Sequence, residues 1–267
     1  MNPASLQRTS ETHDHGARAE EPVLVFESNL GGQHGRGVSL LAEKCHGAVD
    51  GKGWGHHGNA YGIPTLDSEM VPLTRGVLVN YVQSFLKYAT VHPQLRFRVT
   101  AFGYGNPNIG MGEIVEMFRQ APRNCLLPGR WMEMLGRLDV VRLLLLDASG
   151  SLRGAAAQER LDEYFAINAP LWAARSVEIV SVGTAVSVVA NDEFARRRNY
   201  RHRIISVNEG YYRNYLNLAR EEMAVWYSTR LVTVLEPDQT SQGNTLRLLQ
   251  AATRAGLEID EIQIGGD

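Results

Sequence analysis

The chain has 267 residues, of which 44% are apolar and 21% are charged, a balance typical of a globular protein with a sizeable core. Its formal net charge of −2 argues against a protein that coats nucleic acid, because neutralising phosphates requires a basic surface. No apolar run approaches the roughly eighteen residues of a membrane-spanning helix. The two cysteines, Cys45 and Cys125, have no CxxC spacing, so we expect a cytoplasmic protein with two reduced, buried thiols.

The opening residues are polar and lack hydrophobic periodicity. They contain no apolar segment followed by a cleavage site, which argues against a signal peptide. We therefore interpret residues 1–21 as a disordered tail.

From residue 22 onward, short apolar runs alternate with amphipathic stretches. The pattern predicts, in chain order, strand "PVLVF", helix "VSLLAEKCHG", strand "NAYGIPT", helix "RGVLVNYVQSFLKYATVHP", strand "RFRVTAFGYG" and helix "IGMGEIVEMFRQAP". In the longest helix we expect one buried face, formed by Val77, Tyr81, Phe85 and Tyr88. Alternating strands and helices predict a mainly parallel sheet that is covered on both faces.

A second strand and helix series follows. It comprises strand "VVRLLLLDASG", helix "AQERLDEYFAIN", strand "VEIVSVG", helix "NDEFARRRN", strand "RIISVN", helix "YLNLAREEMAVWYS", strand "RLVTVLE", helix "TLRLLQAATRAG" and strand "IDEIQI". Its length is that of a Rossmann-type unit. We place the boundary near Gly136, which predicts an α/β protein with domains at 22–135 and 136–267.

Two glycine-rich loops each connect a predicted strand to a predicted helix. The first, "SNLGGQHGRGVSLL", has four glycines between Gly31 and Gly37, and the second is "VTAFGYGNPNIGMGEI". Glycines let backbone N–H groups approach a phosphate closely, and a helix N-terminus attracts anions. Loops at the carboxyl ends of strands in one sheet converge on one crevice, which favours a phosphate-bearing ligand over two unrelated turns.

The opening "VFESNLGGQHGRG", the later "YGIPTLD" and the second glycine loop together resemble the macro-domain-like proteins described as phage-associated. The resemblance covers residues 23–131 and implies a macro-type fold that binds ADP-ribose or a related nucleotide. It implies that Asn29 faces the distal ribose. The implied ligand-binding residues are Gly32, Gly35, Arg36, Gly37, Gly103, Gly105, Asn106, Asn108 and Gly110. The chain departs from the family pattern at "GYGNPNIG" and at Leu66, where relatives often have Lys.

Three polar residues of this region are candidates for catalysis. His34 lies inside the first loop and is a candidate general acid or base, although a hydrogen-bonding loop residue is the plainer alternative. Asp67 either binds a ribose hydroxyl, acts as a base or, more plainly, caps the next helix. Asn29 is able to position a water molecule or a ribose hydroxyl. His46, His56 and His57 lack a metal-binding spacing, so we predict neither a metal nor a cofactor.

The second series resembles the SLOG superfamily of Rossmann-like nucleotide-binding domains over residues 138–265. "AREEM" and "EPDQTSQGNT" carry the resemblance through Met223, Ser241, Gly243 and Thr245, with Arg220 displaced by one position. It implies a ligand site at Ser241, Gly243 and Thr245, and a helix cap is the equally weighted alternative. The basic run "RRRNYRHR" is more typical of a solvated helix end than of a phosphate site.

These observations predict a protein that recognises ADP-ribose or another NAD-derived nucleotide, in phage–host conflict by resemblance. A hydrolase and a non-catalytic sensor or sequestering protein both stay open, because a glycine-rich site suits either. A third and weaker alternative is a module that acts on ADP-ribosylated DNA or RNA, although the composition disfavours a nucleic-acid partner. We expect no membrane partner, and we expect a homo-oligomer.

Overall fold

The computed structural model describes residues 21–104, 106–147, 152–182, 185–236 and 243–264. Its strands are β1 (Val23–Asn29), β2 (Gly55–His57), β3 (Ala60–Leu66), β4 (Phe97–Val99), β5 (Cys125–Leu126), β6 (Val140–Asp147), β7 (Ser176–Ser181), β8 (Arg201–Ile204), β9 (Arg230–Leu235) and β10 (Glu258–Gln263). Its helices are α1 (Gly37–His46), α2 (Arg75–Val91), α3 (Met111–Met117), α4 (Gly129–Met134), α5 (Ala155–Trp172), α6 (Ala185–Arg197), α7 (Glu209–Tyr212), α8 (Leu216–Tyr227) and α9 (Gly243–Arg254). None of these described helices has the length and apolar character needed to cross a membrane.

The strands form two five-stranded sheets. The first has the order β2-β3-β1-β4-β5, in which only the β2–β3 pair is antiparallel. The second has the order β10-β9-β6-β7-β8 and is wholly parallel. Counted within its own series, the second sheet has the order 3-2-1-4-5 of a doubly wound sheet. The predicted α/β class with mainly parallel sheets is confirmed.

The first sheet is buried on both faces. Along β1, Val23 and Val25 face a core shared with α2, α3 and α4, whereas Leu24 and Phe26 face the opposite side. That opposite core is completed by α1 and, from the second series, by Tyr212 and Ala219. The second half of the chain therefore supplies part of the covering layer of the first sheet.

Helix α8 packs against both sheets. Ala219 belongs to the core under the first sheet, while Ala224 and Val225 belong to the core under the second. Near the end of the same helix, the Trp226 indole N–H donates a hydrogen bond of 2.8 Å to the carbonyl of Val99 on β4. One helix thus joins the two sheets through apolar packing and a partly buried hydrogen bond.

The buried face of α2 differs from the predicted one. The buried residues are Leu78, Val82, Phe85 and Ala89. Val77 is 39% exposed, and the two tyrosines pack at the edge of the core, where the Tyr88 hydroxyl lies 2.8 Å from His56 Nδ1. The prediction is confirmed for Phe85 and was wrong by one position for Val77, Tyr81 and Tyr88, because the tyrosines keep their polar ends near solvent.

Other differences are local. β4 is shorter than the predicted strand, and the short elements β2, β5, α4 and α7 were not predicted. The two cysteines are free thiols of intermediate burial, so they are more exposed than the expected buried thiols. Burial raises the pKa of the Cys125 thiol to about 12. Apart from Glu21, the predicted tail lies outside the described residues.

Candidate functional site

A cavity of about 530 Å³ lies where β1 ends and α1 begins, between the first sheet and the helices of the second series. From the first half it is lined by Leu24, Glu27, Ser28, Asn29, Gln33, Gly35, Arg36, Gly37, Val38, Ser39, Leu41, Leu66, Met70, Arg98, Thr100 and Ala101. From the second half it is lined by Tyr212, Ala219, Glu222, Met223, Val225, Trp226, Ala251, Arg254 and Ala255. Both halves of the chain are therefore needed to form it.

The first glycine loop reaches this cavity through four of the predicted residues, Asn29, Gly35, Arg36 and Gly37. Asn29 holds the loop closed, since its Nδ2 donates to the Gln33 carbonyl at 2.8 Å and its Oδ1 accepts from the Gln33 N–H at 3.2 Å. A Cβ built on Gly35 would have no neighbour within 4 Å. The Gly35 backbone is thus open to the cavity, as a close approach by a ligand requires.

Glu27 is a cavity residue that sequence reasoning missed. It is the only exposed residue of β1, whose other residues are buried. The Thr65 hydroxyl donates to Glu27 Oε1 at 2.6 Å. Burial by the surrounding protein raises the pKa of this carboxyl group. Three interactions partly oppose that rise: the hydrogen bond from Thr65, the hydrogen bond from the Gly103 amide and the charge of Arg254. The side chain is open to the cavity but poorly solvated as an anion, because protein encloses it on the other sides.

Arg98 on β4 also lines the cavity, and it is 8% exposed. Its Nη2 donates to the Tyr212 hydroxyl at 2.9 Å, and its Nη1 lies 3.7 Å from a Glu21 carboxylate oxygen. The Tyr212 hydroxyl also lies 3.2 Å from His46 Nε2. Burial lowers the pKa of His46 to about 3, so this imidazole is neutral and able to accept that hydrogen bond.

An ion pair from the second half faces the start of α1. Arg254 on α9 donates from Nη2 to Glu222 Oε1 on α8 at 3.1 Å. These two atoms lie 3.4 and 3.5 Å from the position of a Cβ on Gly37. Burial raises the pKa of Glu222, and the charge and hydrogen bond of Arg254 oppose this. A carboxylate of the protein therefore lies beside the helix N-terminus, where an anion is favoured.

The remaining wall is apolar. Leu24, Leu41 and Val38 line it from the first half, and Met223 and Trp226 line it from α8. Because its N–H bonds the Val99 carbonyl, the Trp226 ring is fixed in orientation. The cavity thus combines a charged end with an apolar wall that includes an aromatic ring.

Several predicted glycines have structural roles outside the cavity lining. Gly32 has a φ of +68°, and a Cβ on it would lie 2.3 Å from backbone atoms at Gly51 and Lys52. Gly103 has a φ of +77°, and a Cβ there would lie 2.1 Å from the Ile114 side chain. Gly110 precedes α3 and its N–H lies 3.2 Å from Glu113 Oε2. Close packing accounts for the first two glycines.

The other candidate polar residues also lie outside the cavity lining. His34 is 3% exposed and packs edge-on against Phe26, with its ring stacked on His57 at 6.3 Å. Asp67 Oδ1 accepts from the N–H groups of Glu69 and Val71, so it caps that turn and not α2.

The asparagines of the second loop stabilise that loop. Asn106 Oδ1 accepts from the Asn108 N–H at 2.9 Å, and Asn108 Nδ2 donates to the Pro72 and Leu73 carbonyls. Neither side chain lines the cavity. The second glycine loop contacts the end of β1, because the Gly103 amide bonds the Glu27 carboxyl group. Thr100 and Ala101, which directly precede this loop, line the cavity.

The site predicted in the second series is elsewhere. Gly243 and Thr245 lie in the first turn of α9, whereas the cavity is lined by Ala251, Arg254 and Ala255 at the other end of that helix. Gly105 and Ser241 lie outside the described residues. Met223, one of the residues that carry the resemblance of the second series, lines the cavity.

Among the described residues, no group of three or more His, Cys, Asp or Glu side chains is arranged to hold a metal ion. Comparison of the chain with protein-family models, with curated proteins and with solved structures found no match.

Proposed function

We propose that the cavity binds ADP-ribose or a related NAD-derived nucleotide. The observation that carries this proposal is the open backbone of Gly35 beside Arg36 at the start of α1, facing the cavity. Backbone N–H groups, a helix N-terminus and nearby guanidinium groups together favour phosphate. A volume of about 530 Å³ is within the range of small-molecule sites.

In this proposal the two ends of the ligand meet different surfaces. The phosphates lie against Gly35, Arg36 and Gly37, with Arg254 as a second cation. The base lies on the apolar wall near Met223 and Trp226, because a planar aromatic ring suits both surfaces. The ligand thereby contacts both halves of the chain.

Hydrolysis of the bound nucleotide is favoured by one residue, Glu27. A carboxyl group with a raised pKa, open to a cavity and oriented by Thr65, has the properties of a general acid or base. In NAD or cyclic ADP-ribose the distal anomeric carbon carries a nitrogen leaving group that free ADP-ribose lacks, and the Glu27 carboxylate takes a proton from the water that attacks this carbon. The bond to the leaving nitrogen breaks, its electron pair stays on that nitrogen, and Glu27 gives up the proton to the leaving group or to solvent.

The resemblances extend the proposal to the whole chain. We propose a macro-like unit in residues 22–135 and a SLOG-like unit in 136–267, acting in phage–host conflict. The doubly wound strand order of the second sheet supports the second assignment.

Calorimetric titration with ADP-ribose, NAD and cyclic ADP-ribose tests binding. At least one clear binder is expected, and no heat from any of them would end the proposal. Chromatography of the ligand after long incubation separates the two functional classes. Ligand recovered intact would favour the sensor, whereas turnover that is lost in Glu27→Gln would favour the hydrolase.

A further inference from the structure

The ion pair between Glu222 and Arg254 lies in the cavity, at the end where an anion is most strongly favoured. Glu222 has 14% of its side chain exposed, while Arg254 has 56% exposed. The carboxylate is therefore held inside the wall, and the guanidinium group is available from the cavity. An anionic ligand that reaches Arg254 must approach Glu222 as well.

Two negative charges beside one guanidinium group repel each other, and the protein has few ways to relieve that repulsion. The charged groups facing Glu222 are Arg254 on α9 and Glu221 on α8. Across the cavity lie Glu27 on β1, Arg36 before α1 and Arg98 on β4. Arg98 is already bonded to Tyr212, so it does not replace Arg254 as the partner of Glu222.

We propose that Glu222 is an exchangeable internal counter-ion: the anionic group of the ligand takes over Arg254, and Glu222 takes up a proton. This inference rests on the proposed function, because it requires an anionic ligand in the same cavity. The exchange makes the affinity for the ligand depend on pH. In the empty cavity, the carboxylate of Glu222 balances the charge of Arg254. It also selects for ligands whose anionic group bonds Arg254 better than a carboxylate does, as the oxygens of a diphosphate can.

The direction of the Glu222 pKa supports the exchange. Burial already raises this pKa, and Arg254 is the main group that lowers it. When a ligand occupies Arg254, the stabilisation of the carboxylate weakens and the negative charge of the ligand adds to the effect. Both changes raise the pKa further, so a proton is bound together with the ligand.

The test is titration of the full chain with ADP-ribose at pH 6, 7 and 8, in buffers of different ionisation enthalpy. For the unmodified protein we expect affinity to rise as the pH falls, by up to about tenfold per pH unit for one linked proton. Uptake of up to about one proton per ligand is expected where the pH lies between the pKa of Glu222 in the empty protein and its higher pKa in the complex. Glu222→Gln is expected to bind about tenfold more tightly at pH 8, with a smaller proton uptake.

Glu221→Gln is a matched control. Glu221 is the neighbouring residue on α8 and is likewise paired with an arginine of α9, since its Oε1 lies 3.1 Å from Arg247 Nη2. It does not line the cavity. Because the charge of Glu221 contributes to the raised pKa of Glu222, its replacement is expected to reduce the proton uptake slightly. The ADP-ribose affinity at pH 8 is expected to stay within about twofold of the unmodified protein, in contrast to Glu222→Gln.

The outcomes of these titrations distinguish failure of the exchange from failure of the proposed function. Binding of ADP-ribose without proton uptake by the unmodified protein overturns the exchange, even if Glu222→Gln does not fold. Equal affinity of the folded Glu222→Gln and the unmodified protein at pH 8 also overturns it, and leaves the proposed function standing. If neither protein binds ADP-ribose, NAD or cyclic ADP-ribose at any of these pH values, the proposed function and the exchange both fail.

Discussion

Arg98 on the first sheet donates a hydrogen bond of 2.9 Å to the hydroxyl of Tyr212 in α7, and both side chains are buried. The bond joins residues 114 positions apart in the sequence. The same hydroxyl lies against the neutral His46, whose other ring nitrogen is 3.2 Å from the Tyr211 hydroxyl. A polar network therefore crosses from β4 to α1 and α7 inside an otherwise apolar core.

Removing the Tyr212 hydroxyl should destabilise the protein more than removing its neighbour's. Tyr212→Phe leaves a buried guanidinium group with one partner fewer, which costs about 1.5–3 kcal/mol of unfolding free energy. Tyr211→Phe removes a bond between neutral groups and should cost about 0.5–1.5 kcal/mol. Urea denaturation measures both, and an equal or larger loss in Tyr211→Phe would contradict the central position of Tyr212.

Gly35→Val should abolish tight nucleotide binding without unfolding the protein. Gly35 has no left-handed φ, and its Cβ would point into open space, so the fold has no need of glycine there. The branched side chain would block one or two charge-assisted hydrogen bonds to phosphate. We expect a loss of about 2–4 kcal/mol, which is about 30- to 1000-fold in Kd.

Gly76→Val is the control for this change. Gly76 lies in the first turn of α2, outside the cavity lining, and its Cβ would also meet no neighbour. Calorimetry should show unchanged affinity in this variant. Normal affinity in a folded Gly35→Val would move the phosphate site away from the first glycine loop.

Glu27→Gln should change how stability depends on pH. The folded protein raises the pKa of this carboxyl group, so the stability linked to its protonated form is lost as the pH rises through that raised pKa. Glutamine does not titrate. The variant should therefore gain stability relative to the unmodified protein as the pH rises from the ordinary carboxyl pKa of 4.5 through the raised pKa of Glu27, as measured by thermal unfolding at each pH.

Glu113→Gln should show the opposite sign. Hydrogen bonds from Arg75 and the Gly110 amide lower the pKa of Glu113, so its carboxylate stabilises the fold above its ordinary pKa. That variant should be less stable than the unmodified protein at neutral pH, and the difference should shrink as the pH falls below about 4.5. The same trend in both variants would indicate a general charge effect and contradict the special environment of Glu27.

Gly129→Ala should weaken the contact between α4 and α8. A Cβ on Gly129 would lie 2.3 Å from the carbonyl oxygen of Tyr227, which is backbone and unable to move aside cheaply. Separating the two helices should cost about 1–3 kcal/mol of unfolding free energy, as overpacking does elsewhere. Gly112→Ala in α3 has open space around it and should be neutral or stabilising by up to about 1 kcal/mol in urea denaturation.

Hydrophobic periodicity was sufficient to predict most of the long helices and strands, because each buries a stripe that is set by its own residues. The first glycine loop was predictable as a cavity wall from its own residues, because Gly35 and Gly37 follow a strand and open a helix. The direction in which His34 points was not, because its contact with Phe26 depends on the path of the whole loop.

Glu27 and Arg98 could have been found from the sequence. Each is a charged residue inside a run that is otherwise buried, and such a residue needs a partner or a function. The contribution of α8 and α9 to the cavity had no local signal. Which helix covers a given sheet face depends on the packing of both halves, and the apolar stripe of α8 does not specify its partner.

The core that β1 shares with Tyr212 and Ala219 has a consequence for synthesis on the ribosome. Leu126, the last residue of the first sheet, precedes Ala219 by 93 positions. At about 5–20 residues per second, translation needs about 5–20 s to cover that interval. During this interval, Leu24 and Phe26 are covered by α1 but not yet by Ala219. The nascent first half therefore presents an incompletely covered apolar face to chaperones and to other nascent chains. The covering of this face of the first sheet thus has to wait until most of the second half has been made.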